Sequence, residues 1–564
     1  MRKIKKILSI MLIACVAVTA IGCNGFGPGN GGKSDPNTLY VGNYDGGLGE
    51  AWLRAVADKF EAQNPGIKVE IDSEKDLFGD TSLMTNMPNY RQDLYFLNQI
   101  TYSNYIKRGV IADITDVVTE KRTEKRLIDG AETEQSVSIE DKMHETQKAY
   151  YKTSDGKYYA IPFVESIFGA VYDVDLFDEK GYYFDESGTL VLRKGVRDDK
   201  EYSDKVVFTA ANGKEYTLGN GPDGERGTFD DGLPATYDDL FALMDKMKLD
   251  SVTPFMWNGQ YPLYRERFLT TLWADYEGAE NYNLNSTFSG TYRFDGDETA
   301  TVINNSNAYL LQNQKGKEIA VETARKIIRG GYYRTDSFDT VQSHIMVQGD
   351  YLYSRYRNQP VAFIIEGGWW ENEAREKAFA SMEQSYGEEW AYGKRRFAFL
   401  PTPKADESAI GGRRTLLSAS GGSVVCVNAK TTKKELAEKF IAFAHSDESL
   451  RTFTTYTGVP RPYDYELSAE DKNSMTYFSR NLWDVYHDEK TDVVYNSISF
   501  NTMKNTEKTY FNCWAFGATN VNGVDYEEPF LAFRNWSDLT TSEYLAGMRR
   551  KYDNWNKTLA SYLA

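Results

Sequence analysis

The stretch "TLYVGNYDGGLGEAWLRAVADKFEAQNPGIKVEI", residues 38–71, decides the fold. Residues 38–41 read as a short strand, and a glycine-bearing loop follows. Trp52, Val56 and Phe60 then recur at helical spacing. "NPG" stops the helix, and Ile67, Val69 and Ile71 alternate as a strand does. A strand, helix and strand in this order predict a parallel pair with a right-handed crossover. The fold class expected is α/β.

The same style recurs downstream. "PATYDDLFALMDKMK" predicts a helix with Thr236 as its N-cap and Leu240, Leu243, Met244 and Met247 on its apolar side. "TTKKELAEKFIAFAHS" carries a capping-box pattern, Thr432 with Glu435. "TSEYLAGMRRKYDNWNKTLASYL" reads as a terminal amphipathic helix. Residues 184–234 differ: they alternate, turn on "NG" and are dense in Gly and Asp, so a β-hairpin excursion is expected there.

A second informative stretch is "VAFIIEGGWWENEAR", residues 361–375. Val361 to Ile365 read as a strand buried on both faces, the habit of parallel sheets. Two glycines and two adjacent tryptophans follow. Core packing is one explanation for the indoles. A ligand platform is the other, because open α/β sheets bind ligands outside the carboxyl ends of their strands.

The chain opens with Arg2, Lys3, Lys5 and Lys6 and an apolar run from Ile7 to Ile21, the pattern of a secretory signal. It closes on "TAIGC", similar to a bacterial lipobox, with Cys23 as the residue to be acylated. "NGFGPGNGGKSDPN" then reads as a flexible tether, and no later stretch is long and apolar enough to span a bilayer. Of the four cysteines, Cys15 lies in the signal. Cys426 and Cys513 remain, so one disulfide is possible. A chain of 564 residues is not stapled by one bridge, and a large core of more than one domain is expected.

The formal charge is −17, and loss of the four basic signal residues makes it more negative. That argues against nucleic acid and anionic lipid surfaces as partners. With 40 tyrosines and 10 tryptophans, the chain has more aromatic surface than a core of this size needs. No P-loop, Gly-x-Ser-x-Gly elbow or zinc spacing is present. His144, His344, His445 and His487 are scattered.

Several phrases in register resemble the extracellular solute-binding proteins of ABC importers, in the branch that feeds carbohydrate permeases. They are "KFEAQNPGIKVEI", "YAIPFVESIFGAVYDVDLFDEKGY", "AFIIEGGWWENEA", "FAFLPTPK" and "GGSVVCVNAKTTKKELAEKFIAFAHSDESLRTFTTYTGVPRP". The resemblance implies a two-lobed periplasmic-binding-protein-like fold with a hinge and an interlobe cleft. It implies crossings near "IPFVES", "FLPTPK" and "TGVPRP". Residues 1–22 would be the signal and 23–36 the tether. Residues 37–163 and 401–457 would form the first lobe. Residues 164–400, with the 184–234 insertion, and 458–564 would form the second. The expected protein is a monomeric lipoprotein on the outer face of the cytoplasmic membrane. It would capture a carbohydrate, an oligosaccharide by preference, for permease subunits, and would need no cofactor.

The resemblance makes Trp369 the indole that stacks on a sugar ring and leaves Trp370 to packing. Asn43, Tyr44 and Asp45 follow the first strand, where a cleft loop belongs, although "NYDGG" is also ordinary turn chemistry. Glu165 follows the first hinge proline, where the family often carries a polar ligand residue. Trp257, Tyr261, Glu366 and Arg461 are further candidates for ligand contact. A glycosidase would need two carboxylates about one bond. Glu165 and Glu366 could be cast that way, but nothing in the sequence places them together, so no catalytic residue is assigned. A sensor or adhesin on the same fold is a third reading. Asp223, Asp230 and Asp231 in "NGPDGERGTFDDG" resemble short thrombospondin type 3 calcium loops, so a structural calcium ion is a further expectation.

Overall fold

The computed structural model describes residues 35–73, 82–98, 100, 102–198, 206–419, 423–495, 516, 519–521, 524–526, 528–550 and 555. The signal segment, Cys23 and Cys513 lie outside the described residues.

The helix Ala51–Gln63 buries Trp52, Leu53, Val56, Ala57 and Phe60. It packs on a five-stranded sheet ordered Lys68–Ser73, Thr38–Asn43, Leu94–Leu97, Val424–Val427, Ile161–Pro162. The first three strands are parallel, and Val424–Val427 runs against them. Cys426 is a free thiol buried in this sheet.

A second sheet is ordered Thr253–Met256, Val361–Gly367, Ile167–Asp173, Arg414–Ser418, Thr491–Tyr495, with Phe397–Phe399 also on Ile167–Asp173. All seven residues of Val361–Gly367 are buried. This strand is parallel to Thr253–Met256 but antiparallel to Ile167–Asp173, so the sheet is mixed. Each sheet has its own apolar core, and the Trp369 side chain packs against both. That is the two-lobed α/β architecture.

The expected boundaries move in two places. Arg414–Ser418 pairs with Ile167–Asp173 and Thr491–Tyr495, so it belongs to the second lobe rather than to the return of the first. The chain goes back after Ser418, not at "FLPTPK". Val459, Tyr463, Tyr465 and Leu467 stay in the first core. The last passage falls instead in the helix Tyr477–His487, whose Trp483 packs in the first core and whose Phe478, Leu482 and Tyr486 pack against the second. Prolines mark extended chain, but which sheet a segment joins is settled by pairing with distant strands.

Residues 184–234 form a three-stranded antiparallel sheet of Gly195–Arg197, Val207–Ala210 and Glu215–Thr217. One more strand is present than a hairpin needs. Its tight turn carries Gly213 at φ 79°, the left-handed conformation glycine adopts without strain. Thr236 caps the helix Tyr237–Leu249 in a capping box with Asp239. The Thr432–Glu435 box does not form: the helix starts at Lys434, and Lys433 at its N-cap has no side-chain cap bond.

Candidate ligand-binding cleft

The strand Val361–Gly367 ends in two glycines, and Trp369 folds back over the first of them. A Cβ on Gly367 would stand 2.3 Å from the Trp369 ring. A Cβ on Gly47, in the loop after the first strand of the other lobe, would stand 2.4 Å from its Cδ1. Asn372 Nδ2 donates to the Gly47 carbonyl at 2.9 Å. The Trp369 indole therefore sits at the seam between the lobes, partly exposed. Phe168 meets it edge-on, with ring centroids 5.5 Å apart.

Trp370 opens the helix Trp370–Ala374 and is fully buried among Tyr351, Phe379, Phe397 and Phe478. The two indoles diverge because helical geometry turns each residue about 100° from the last, not because the chain is extended there.

Asn43 closes the strand Thr38–Asn43 and is buried, with Nδ2 donating to the Gly49 carbonyl and to Ser73. It shapes the loop. Tyr44 is partly buried against the first core, and Asp45 is exposed in the turn, its carbonyl accepting from Gly47.

On the second lobe, the helix Pro262–Thr287 begins beside the end of the strand Thr253–Met256. Tyr261 is 41% exposed, and its ring lies near Tyr264 and His344. Tyr264 meets Phe168 edge-on at 5.2 Å, and the Arg267 guanidinium lies over Phe168 at 5.3 Å. A run of polar groups follows. His344 Nε2 is 3.0 Å from Glu373, and Gln348 Nε2 donates to both Glu373 and Glu366. Burial, with the nearby Glu366 and Glu373 carboxylates, pushes the Tyr264 hydroxyl well above the ordinary tyrosine range.

Trp369, Tyr44, Asp45 and Tyr261 are thus gathered about one seam with part of their surface exposed, whereas Glu366, at the end of the buried strand, is 1% exposed and accepts from Gln348 and the Gly367 N–H. Three other candidates are not at the seam. Trp257 is fully buried, stacked on Tyr333 and packed by Phe338 and Phe530. Arg461 lies in the first core and donates to the Ala444 carbonyl, with His445 Nε2 2.7 Å away. Glu165 is wholly enclosed, accepting from Ser418, Tyr486 and Tyr495. Those partners flank the later passages between the lobes, so Glu165 ties the hinge together. Phe168, Tyr264, Arg267 and Asn372 were not singled out by sequence reasoning. The signal available was "YPLYRERF", which repeats large polar-tipped side chains at positions 261, 264 and 267, three residues apart at the start of a helix.

The acidic loop of the insertion is bonded within the protein. Asp223, Asp230 and Asp231 are buried, but their oxygens serve the protein itself. Asp223 Oδ1 accepts from the Glu225 N–H, Asp230 from Thr228 and the Asp223 N–H, and Asp231 from the Gly227 N–H. Arg414 stands 3.5 Å from Asp230. Among the described residues no group of three or more His, Cys, Asp or Glu is arranged to hold a metal ion. Burial, reinforced for Asp230 by the Asp223 charge, raises the pKa of both carboxyls, that of Asp231 to about 6. An unfolded aspartate titrates near about 3.9, so the folded state holds the extra proton between these values. This contribution to stability is present at about pH 4 and is lost as pH rises through about 6. Asp231→Asn is therefore expected to gain melting temperature relative to wild type at pH 7.5 and to lose that advantage at pH 4.5. Equal shifts at both pH values, or an advantage abolished by added calcium, would contradict this account.

The sequence profile of the bacterial extracellular solute-binding proteins matches residues 55–474, and the chain belongs to that family. Solved structures agree in fold. The solute-binding protein RafE in complex with raffinose superposes at TM-score 0.51 with 12% identity, covering 92% of this chain and 99% of that one. A chitin oligosaccharide binding protein gives 0.52 and 15%, covering 93% and 100%. A structure from work on xylan utilization by Caldanaerobius polysaccharolyticus gives 0.54 and 12%, covering 92% and 100%. No curated protein matches in sequence.

Proposed function

We propose that the seam between the lobes captures an oligosaccharide outside the cell and hands it, chemically unchanged, to an ABC permease. The carrying observation is the partly exposed Trp369 indole between the Gly47 loop and Phe168, with tyrosines on both lobes beside it. Sugar C–H faces take up flat aromatic area at little entropic cost. Sugar hydroxyls need planar polar partners, because a buried unpaired hydroxyl is costly. The partly exposed Glu373 and His344, backed by the buried Gln348 and Glu366, supply such groups. The same fold in proteins described with raffinose and chitin oligosaccharides accords with this reading. Acylation of Cys23 would hold the protein at the membrane, since more than one acyl chain anchors stably.

A thermal-shift screen against mono- and oligosaccharides tests the reading, because a ligand that binds only the folded state raises stability by mass action. At least one oligosaccharide should raise the melting temperature, shrink the radius of gyration in scattering as the lobes close, and be recovered intact. A screen without a single shift would overturn the reading. Recovery of cleaved product would replace it with catalysis.

A further inference from the structure

The guanidinium of Arg267 breaks a rule that the other deeply buried arginines of this protein obey. Arg265, two residues earlier on the same helix, pairs with Glu528 at 2.9 Å and donates to the Asn258 carbonyl. Arg126 pairs with Asp447, Arg395 with Asp173 and Arg414 with Asp230. Arg197 and Arg461 donate to backbone carbonyls. Arg267 is only 7% exposed, its Nε is buried with no hydrogen-bond partner, and among the described residues its guanidinium forms no ion pair within 4 Å. Its guanidinium lies over the Phe168 ring face at 5.3 Å. A ring face engages the flat of a guanidinium and leaves its in-plane N–H donors unused.

The place matters as much as the missing partner. Phe168 carries Arg267 on its face and meets both Trp369 and Tyr264 by its edges. The titratable groups that act on Arg267 are Tyr264, the Glu266 carboxylate and, from the first lobe, Tyr44. The cation therefore stands at the seam, beside the indole assigned to the sugar. Burial also holds its pKa down, to about 10, and the Glu266 carboxylate offsets that only in part.

A buried charge is normally paired, because desolvation is otherwise uncompensated. A neutral hydroxyl could accept one N–H but would leave the charge unbalanced. A planar carboxylate would accept two N–H donors at once. Building on the oligosaccharide reading above, we infer that the ligand carries a carboxylate, as in a uronic acid residue, and that Arg267 is its counter-charge.

The experiment has two arms. First, the melting temperatures of ligand-free wild type and Arg267→Met are compared. Methionine keeps the length of the stem and removes the unpaired charge, so the variant should melt higher. A variant that melts several degrees lower would show that Arg267 is anchored structurally, and would overturn the inference. Second, wild type and variant are titrated by calorimetry with tri-galacturonate and a hyaluronan tetrasaccharide, each beside its carboxyl-reduced counterpart. Wild type should bind at least one acid form about ten-fold or more tightly than its reduced form, the size of a charge-assisted hydrogen bond. In Arg267→Met that ratio should collapse towards one. Wild type that binds the reduced forms as well as the acids would overturn the inference and leave the oligosaccharide reading standing. Wild type that binds none of the four probes, while neutral oligosaccharides shift its melting, would likewise overturn the inference alone. Failure with every saccharide would remove both.

Discussion

Trp369→Ala is expected to weaken oligosaccharide binding about thirty-fold or more while the protein stays folded. Stripping an aromatic anchor from a binding site typically costs about 2 kcal/mol or more, and about 1.4 kcal/mol is a factor of ten in affinity. The indole is partly exposed at the seam. It packs against both cores rather than deep within either. Gly367 and Gly47 make room for it, and a Cβ on either would clash with its ring. Gly47 adds a left-handed backbone, at φ 82°, that disfavours other residues. Two glycines given over to one partly exposed side chain make sense if that side chain is presented to something. Titration calorimetry with the saccharide found by thermal shift, with circular dichroism to check the fold, measures the effect. Wild-type affinity in the variant would refute the stacking role.

Trp370→Ala should show the opposite pattern, losing about 3–5 kcal/mol of stability, the range for emptying a core aromatic position. Trp370 has no exposed surface and lies against Phe397 at 5.1 Å and Phe478 at 5.7 Å. Phe397 sits on the second sheet and Phe478 on the helix that passes between the lobes. The cavity would therefore loosen the second lobe where it meets the hinge. Because two lobes can unfold separately, the loss should be read from the second-lobe transition in a urea melt rather than from a single midpoint. Trp370→Phe should recover most of it, since the indole Nε1 has no hydrogen-bond partner to lose. A Trp370→Ala protein as stable as wild type would refute the core assignment.

Much of the fold was legible because its signals are local. Trp52, Val56 and Phe60 announce a helix by spacing alone, and the helix observed buries all three. Thr236 announces a cap through its own side chain, which reaches only three residues on. The run Val361 to Ile365 followed by two glycines marks a buried strand, and all seven residues of the strand observed are buried.

Where a residue's role depends on what lies opposite, sequence reasoning failed. Trp257 reads as a cleft aromatic until Tyr333 and Phe530 cover it, and Phe530 is far away in the chain. Arg461 reads as a donor for hydroxyls until the Ala444 carbonyl and His445 occupy it. Glu165 reads as a ligand group until three hydroxyls from Ser418, Tyr486 and Tyr495 enclose it. Arg267 shows the converse, since nothing in "YRERF" separates it from Arg265. Arg265 meets Glu528, and Arg267 lies over the Phe168 ring face.

By itself, the sequence determined that this is an α/β chain with a strand that ends in paired indoles. Periodicity, caps and glycine punctuation act within a few residues and survive without tertiary contacts. Only the tertiary structure decided which sheet Arg414–Ser418 joins, which carboxylates serve the hinge, and which of two nearby arginines pairs directly with a carboxylate. Pairing and desolvation are properties of groups brought together from distant parts of the chain, and they have no value until those groups meet.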